Sequence, residues 1–291
     1  MSNENTWTIK KLLDWSANYL NEKGFDDSRL NAELLICHML NYKNRIDLYL
    51  HHDKPLRETE LKSFKELFKR RLNREPLQYI IGEAQFMGLK FKVDKRVLIP
   101  RPETEMLVEA VIETSQNYPN GLDILDIGVG SGNIAVSLAK FISAANVTGI
   151  DASRPAIEMA RTNVDANGVF DRIDLKQLNI FDDVSGLPKY DIIVSNPPYI
   201  SRNEFLGIQE EIRLFEPHSA TTDDSDGLTY HRRIADVARN IFKENGWLFL
   251  EIAYNQSVEV TKICSEFGYY KIETIKDYSD NDRVIKARWS K

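Results

Sequence analysis

The 291-residue sequence predicts an α/β fold, a mostly parallel sheet covered by helices, with a small helical bundle ahead of it. Three observations carry that expectation. Up to about residue 74 the apolar residues recur at helical spacing, and between 82 and 97 they alternate with polar ones. From about residue 100 short apolar runs alternate with helical stretches, the pattern of parallel strands covered on both faces. The length suits two domains, so the expected division is a helical domain at 1–76, a β-hairpin linker at 77–99 and an α/β domain at 100–291.

Each element has a local cause. Ile9, Leu12, Leu13, Ser16 and Leu20 share one helical face behind a Thr8 cap, and Gly24 supplies a stop. A second helix starting near Asp27 or Ser28 is expected to bury Leu30, Leu34, Leu35 and Met39. Leu61, Phe64, Leu67, Phe68 and Leu72 mark a later helix ending before Pro76, because a proline pushes the residue before it out of the helical region. No polar group in this bundle looks catalytic, which leaves partner contact or support as its role. Phe86, Leu89, Phe91 and Val93, with a break at Gly88, read as a hairpin. Strands are then expected at 122–126, 146–150, 173–178, 191–195 and 247–252, and helices at 103–116, 133–141, 155–167 and 228–242. Two more strands, 270–274 and 283–288, are joined by a turn too short for a crossover helix, so the last strand should run antiparallel.

Composition narrows the function classes. Hydrophobic residues at 42% and charged residues at 28% are ordinary for a soluble globular protein. No apolar run approaches a membrane span, and Met1-Ser2-Asn3-Glu4-Asn5 has neither the basic region nor the apolar core of a leader, so a cytoplasmic protein is expected. Cys37 and Cys264 are far apart and lack partners at ligand spacing; they read as buried hydrophobes rather than as a zinc or disulfide site. A net charge of -6 weighs against a protein that wraps nucleic acid. The basic run Lys69-Arg70-Arg71 with Arg74 reads as the solvated face of a helix.

The chemistry concentrates in Asn196-Pro197-Pro198-Tyr199, directly after the apolar run Ile192-Ile193-Val194-Ser195. An Asn side-chain carbonyl and the carbonyl of the first Pro can each accept one N–H of a planar NH2 group, two prolines stiffen the loop, and an aromatic ring covers the flat group. Such a nitrogen, from an amide or an aromatic amine, is a poor nucleophile; it must be fixed and its lone pair turned toward an electrophile, which is methyl-transfer chemistry. Alone, the tetrapeptide reads more readily as a Pro-Pro turn closing a strand. The upstream sequence reverses that preference. Asp126-Ile127-Gly128-Val129-Gly130-Ser131-Gly132 lies where the first strand of the sheet meets its first helix, the place where such sheets bind ligands. The dinucleotide fingerprint wants glycine at the sixth place from Gly128, which here is Asn133, so a nicotinamide cofactor is disfavoured. Asp126 can order the loop or attract an ammonium. Asp151 sits where an acidic residue meets a ribose, and it also suits the start of a helix at Ser153 and Pro155. Asn179 and Ile180 can frame an adenine. A ligand with an amine, a ribose and an adenine but no pyrophosphate points to S-adenosylmethionine.

The Gly-rich loop, Asp151 and Asn196-Pro197-Pro198-Tyr199 together resemble class I, Rossmann-like methyltransferases that modify planar nitrogens. Gln78-Tyr79-Ile80-Ile81-Gly82, Pro100-Arg101-Pro102-Glu103-Thr104-Glu105, Glu216-Pro217, Asp226-Gly227-Leu228 followed by Tyr230, and Asp282-Arg283-Val284 narrow the match. With them nearly the whole chain is similar to the release-factor glutamine methyltransferase family (PrmC/HemK). The resemblance implies a seven-stranded, mostly parallel sheet with an antiparallel last strand. It implies methyl transfer from S-adenosylmethionine, leaving S-adenosylhomocysteine, to the side-chain amide of the Gln in the Gly-Gly-Gln loop of peptide-chain release factors. Gly128, Val129, Gly130, Ser131, Gly132 and Asp151 would hold the cofactor, with Asn179, Ile180, Asn196, Arg101 and Glu103 bordering it. Asn196, Pro197, Pro198 and Tyr199 would hold the substrate amide, with Asn196, Pro197 and Tyr199 as the catalytic set. The helical domain would help to recognise the release factor, and no metal, membrane or direct nucleic-acid contact is implied. Arg101 and Glu103 are also explained as a Pro-restrained helix start with an acidic first turn. The alternative reading is a nucleic-acid amino (adenine, cytosine or guanine) methyltransferase whose flipped base would occupy the same clamp. Three positions depart from the family pattern: Ala253 stands where Gly is usual within Glu251-Ile252-Ala253-Tyr254-Asn255-Gln256, Val129 where Thr is common, and Thr221 where Leu often follows the alanine.

Overall fold

A computed structural model describes residues 6–290; the first five, read above as lacking a leader, lie outside the described residues. The chain divides into two compact units, Met1–Gly82 and Glu83–Lys291. This differs from the expected division at 76, for a packing reason. Residues 77–81 form a short helix whose Leu77 and Ile80 join the apolar cluster of the first unit, while Phe86 and Phe91 of the hairpin join a cluster of the second.

The first unit contains α1 (Ile9–Glu22), α2 (Ser28–Leu40), α3 (Ile46–Leu50), α4 (Glu58–Leu72) and α5 (Leu77–Ile81). The Thr8 hydroxyl accepts the Lys11 N–H at 3.3 Å and starts α1, whose buried face is Ile9, Leu12, Leu13, Ser16 and Leu20 as the spacing predicts. In α2 the buried set is Asn31, Ala32, Glu33, Leu35, Ile36 and Cys37; of the residues expected inside, Leu35 is buried, Leu34 and Met39 are half-buried and Leu30 is exposed. The basic run is only partly a solvated face. Arg71 is buried, bonded to Asn31 Oδ1 at 2.7 Å, and both Arg71 and Arg74 stack on the Phe25 ring.

The second unit opens with the hairpin β1 (Glu83–Phe86) and β2 (Leu89–Lys92). A 3₁₀ turn at Pro102–Thr104 leads into α6 (Glu105–Ser115). There follow β3 (Leu122–Ile127), α7 (Asn133–Phe141), β4 (Ala145–Asp151), α8 (Arg154–Asn167), β5 (Ile173–Gln177) and β6 (Tyr190–Ser195). An excursion with the short helices α9 (Arg202–Phe205), α10 (Glu210–Phe215) and α11 (His218–Thr221) precedes α12 (Thr229–Ile241), β7 (Phe242–Glu251), α13 (Ser257–Glu266), β8 (Tyr270–Lys276) and β9 (Asp282–Arg288). The seven-stranded sheet has the order β5-β4-β3-β6-β7-β9-β8. Its β3 to β7 pairings are parallel, and β9 runs antiparallel between β7 and β8. Among the described residues no helix is long and apolar enough to cross a membrane.

The central strands read as unbroken apolar runs because both their faces are covered. Ile124, Ile192, Val194 and Phe249 face one cluster, built with α6, α7 and α8. Leu125, Ile193, Leu248 and Leu250 face the other, built with α12 and α13. The β8 edge carries no such burial. Two differences from the expected elements stand out. Strand β7 already begins at Phe242, with an irregular register between Tyr190 and Ile192 of β6. Helix α13 is absent from the sequence reading, although Val260, Ile263 and Cys264 form its buried stripe.

Asp126, near the end of β3, is fully buried, and its Oδ2 accepts the Ala135 N–H of α7 at 3.1 Å. Burial pushes its carboxyl from an ordinary 3.8 up to about 7. The folded protein therefore holds a proton that the unfolded chain has released, so this group costs stability as pH rises through that window. Asp126→Asn should be more stable than the parent at pH 8, with the gain growing between about pH 4 and pH 7 and level above it. Urea denaturation across that range is the measurement, and a gain independent of pH would contradict it.

Candidate active site

The chain goes from β3 outward to β4 and β5, then returns to place β6 on the other side of β3. Loops leaving the carboxyl ends of β3 and β6 thus part in opposite directions and open a crevice, the usual ligand position in such sheets. A cavity occupies it. Its wall includes Gly128, Val129, Gly130 and Ser131 after β3, Asp151 at the end of β4, Asn179 and Ile180 after β5, and Asn196, Pro197 and Pro198 after β6. Gly132 caps α7 with φ +83°, and a Cβ there would press on Ala160 of α8 at 3.3 Å.

Asp151 serves the loop and the next helix together. Its Oδ2 accepts the Gly130 N–H at 3.0 Å and its Oδ1 the Ser153 N–H at 2.8 Å. Burial raises its carboxyl pKa against those two bonds. Each oxygen keeps a second lone pair, so the carboxylate can also accept from a diol. Ile127, Ile150, Leu178 and Ile180 supply apolar wall beside it. Asn179 Oδ1 accepts the Phe181 N–H at 3.0 Å, which leaves its NH2 as the donor. A carboxylate beside apolar walls and a glycine loop fits a nucleoside carrying a charged amino-acid tail.

Ser195, Asn196 and Tyr199 each tie the segment after β6 to a neighbouring element. Ser195 Oγ donates to the Ile127 carbonyl at 2.7 Å and ties the end of β6 to the glycine loop. Asn196 Nδ2 donates to Thr104 Oγ1 at 3.1 Å, so its Oδ1 is the side left to accept. Among the described residues no donor meets Asn196 Oδ1 or the Pro197 carbonyl. Tyr199 does not line the cavity; its hydroxyl donates to Glu251 Oε1 at 3.3 Å, and its carbonyl accepts from Gln256 Nε2 at 2.9 Å.

Arg101 lies on the cavity wall and pairs with buried Glu216 at 2.5 Å, tying the segment before α6 to the excursion after β6. Glu103 does not join them. It is exposed on the 3₁₀ turn and off the wall, because that turn directs the next residue, Thr104, inward. Asp126 is likewise beneath the loop rather than on the wall, and its observed work is holding α7. Thr104, Glu251 and Gln256 are residues the sequence reading quoted within segments without giving them a task. Their signal was their place in those segments; their meeting across 52 to 92 positions of chain is visible only in three dimensions.

Two family models match the chain, the PrmC N-terminal domain over residues 11–82 and the methyltransferase small domain over residues 102–212. A protein of Geobacter sulfurreducens named release factor glutamine methyltransferase is 41% identical over 282 residues, covering 97% of each chain. A protein of the same name from Chlorobaculum tepidum is 39% identical over 297 residues, covering 99% of each. Among solved structures, a methyltransferase from Pyrococcus furiosus matches 79% of this chain and 99% of its own with a TM-score of 0.52 and 16% identity, a likeness of fold.

Gly227 gives the clamp a sharp test. It has φ +81°, and a Cβ on it would fall 2.4 Å from the Tyr199 carbonyl and 2.9 Å from Gln256 Nε2. Gly227→Ala should destabilise by about 2 kcal/mol or more, from the strained backbone together with the displaced carbonyl. Stability in urea within about 0.5 kcal/mol of the parent would show that the Tyr199 backbone is not fixed there.

Proposed function

We propose, from the premise that this chain belongs to the release factor glutamine methyltransferase family, that the crevice transfers methyl groups to a glutamine side chain of peptide-chain release factors. The enzyme is an S-adenosylmethionine-dependent protein-glutamine N-methyltransferase. Its target within the factor is the Gln of the Gly-Gly-Gln loop, and its compartment is the cytoplasm, where that substrate works. The observation that carries this reading is the Asn196 amide, turned by Thr104 so that its carbonyl is left beside the cavity.

S-adenosylmethionine supplies, when bound, a methyl carbon made electrophilic by the sulfonium. Gly128, Val129, Gly130, Ser131 and Gly132 form the loop that would carry its tail, and Asp151 would accept from the ribose hydroxyls. Asn179 and Ile180 would flank the adenine, with Arg101 at the rim. Glu103 has no part in this proposal, since it stands off the cavity.

On the substrate side the two acceptors do the work. Asn196 Oδ1 and the Pro197 carbonyl each take one N–H of the glutamine carboxamide, while Pro198 on the cavity wall confines the flat group; Tyr199, expected to cover it, stands behind that wall and backs it. With both hydrogens held, the nitrogen lone pair can point in only one direction. The same two carbonyl dipoles stabilise the positive charge that grows on nitrogen during transfer. The product nitrogen then loses a proton readily, so no strong general base is needed. Catalysis is mainly positioning.

The helical unit Met1–Gly82 is proposed to recognise the release factor; the match of residues 11–82 to a domain described for this family supports that role. The acidic balance of the chain supports a protein substrate over a nucleic acid one.

Asn196→Ala should lower turnover on the order of 10²- to 10³-fold, the scale for losing one preorganised partner of developing charge. Cofactor affinity, measured by calorimetry, should stay near that of the parent. Lost cofactor binding with normal turnover of the remaining complex would reverse the assignment. A second measurement addresses the substrate. Incubation with labelled cofactor and either a release factor or duplex DNA should label only the factor, and mass spectrometry should place one methyl on the Gly-Gly-Gln glutamine. Labelled DNA would favour the nucleic-acid reading.

A further inference from the structure

We propose that Glu251 and Gln256 are positioning residues that fix Tyr199, the first through its hydroxyl and the second through its backbone carbonyl. This deepens the methyl-transfer reading and rests on it. Glu251 ends β7 and is 1% exposed; Gln256 follows one turn later and is also buried. Neither faces the cavity. A buried carboxylate at the end of a strand is costly unless something requires it.

The surroundings show what it does. The Tyr199 hydroxyl donates to Glu251 Oε1 at 3.3 Å, while Gln256 Nε2 reaches the Tyr199 carbonyl at 2.9 Å and the Gly227 carbonyl at 3.3 Å. Gln256 is itself held, because its Oε1 accepts the Ala253 N–H at 3.1 Å. One six-residue span therefore grips Tyr199 at both ends. The carboxylate also serves the other acceptor. The Thr104 hydroxyl that orients Asn196 sits close enough to Glu251 to favour its ionised form.

Burial raises the Glu251 carboxyl to about 7; against it the Thr104 hydroxyl, Arg283 and the Tyr199 hydroxyl favour the charged form, and Glu103 opposes it. Arg283 is placed by Asp277 at 3.1 Å and by the Ile252 carbonyl at 3.3 Å. Three segments of no evident purpose in the sequence, around Asp226, Glu251 and Arg283, thus converge behind Tyr199.

The test is a mutant cycle on the full-length enzyme with release factor as substrate. Glu251→Ala should lower kcat on the order of 10- to 100-fold, the effect of letting a positioned group drift, with cofactor affinity and the melting temperature close to the parent's. Glu251→Gln should recover most of that loss, since its amide carbonyl still accepts from the tyrosine hydroxyl. Tyr199→Phe should lose kcat by a similar factor, and adding Glu251→Ala to it should cost less than about threefold more, because the contact is already gone. Losses that multiply, or a Glu251→Gln enzyme as slow as Glu251→Ala, would overturn the proposal. Should Glu251→Ala not fold, Gln256→Leu decides it: kcat should fall by on the order of 10-fold in the parent and by the same factor on the Tyr199→Phe background, which keeps the carbonyl that Gln256 holds, and an unchanged kcat would overturn the proposal. Failure of the underlying reading looks different: the parent itself would leave the release factor unmethylated while still binding cofactor, which would overturn both.

Discussion

A carbonyl proposed to receive a substrate hydrogen must be rigid and yet not already satisfied by the protein. Buried acceptors ordinarily find donors within the fold, so leaving two beside one cavity requires deliberate arrangement. For Asn196 the arrangement is Thr104, which accepts from the amide NH2 and so fixes which way the side chain faces. For Pro197 it is covalent: the residues at 197 and 198 are prolines, with no N–H to fold back and little torsional freedom. The rest of the second unit can be understood as support for these two groups.

The sheet order supplies that support. Ser195 is the last residue of β6 and pairs in register with Ile127, the last of β3. Its hydroxyl bond to the Ile127 carbonyl therefore joins the residue before the clamp to the residue before the glycine loop. Methyl donor and acceptor would be positioned by two adjacent parallel strands, elements stiffened by apolar packing on both faces. The next strand, β7, contributes Glu251 from the same edge. A single end of the sheet thus carries the glycine loop, the Asn196–Tyr199 segment and the carboxyl group behind that segment.

Much of this was legible because strand and helix periods are local. Asn133–Phe141 was read with its observed bounds, and helix 155–167 with its Gly168 stop differs at one end by a single residue. The 3₁₀ turn was not legible. Residues 103–116 look like one helix, and only the tighter first turn explains why Thr104 points in and Glu103 out. The excursion helices α9 to α11, of 4 to 6 residues, are shorter than a periodic pattern can reveal. The roles of Thr104, Glu251 and Gln256 were hidden for another reason: each depends on a partner dozens of residues away, and a side chain's partner leaves no mark on its neighbours in sequence.

The three departures from the family pattern can be judged by the same geometry. Ala253 donates its N–H to Gln256 Oε1 and has no positive φ, so the backbone needs no glycine there, and the bond that steadies Gln256 is kept. Thr221 is buried and satisfies its own hydroxyl on the Pro217 carbonyl at 3.0 Å, within the short helix it ends. Val129 is the most constrained of the three. Its side chain fills the space over Gly149 of β4, where a Cβ would come within 2.8 Å of Val129 Cγ2. Valine at 129 and glycine at 149 are therefore one packing decision: a larger residue at 149 would lift the loop that Asp151 holds down through Gly130, and with it the floor of the cavity.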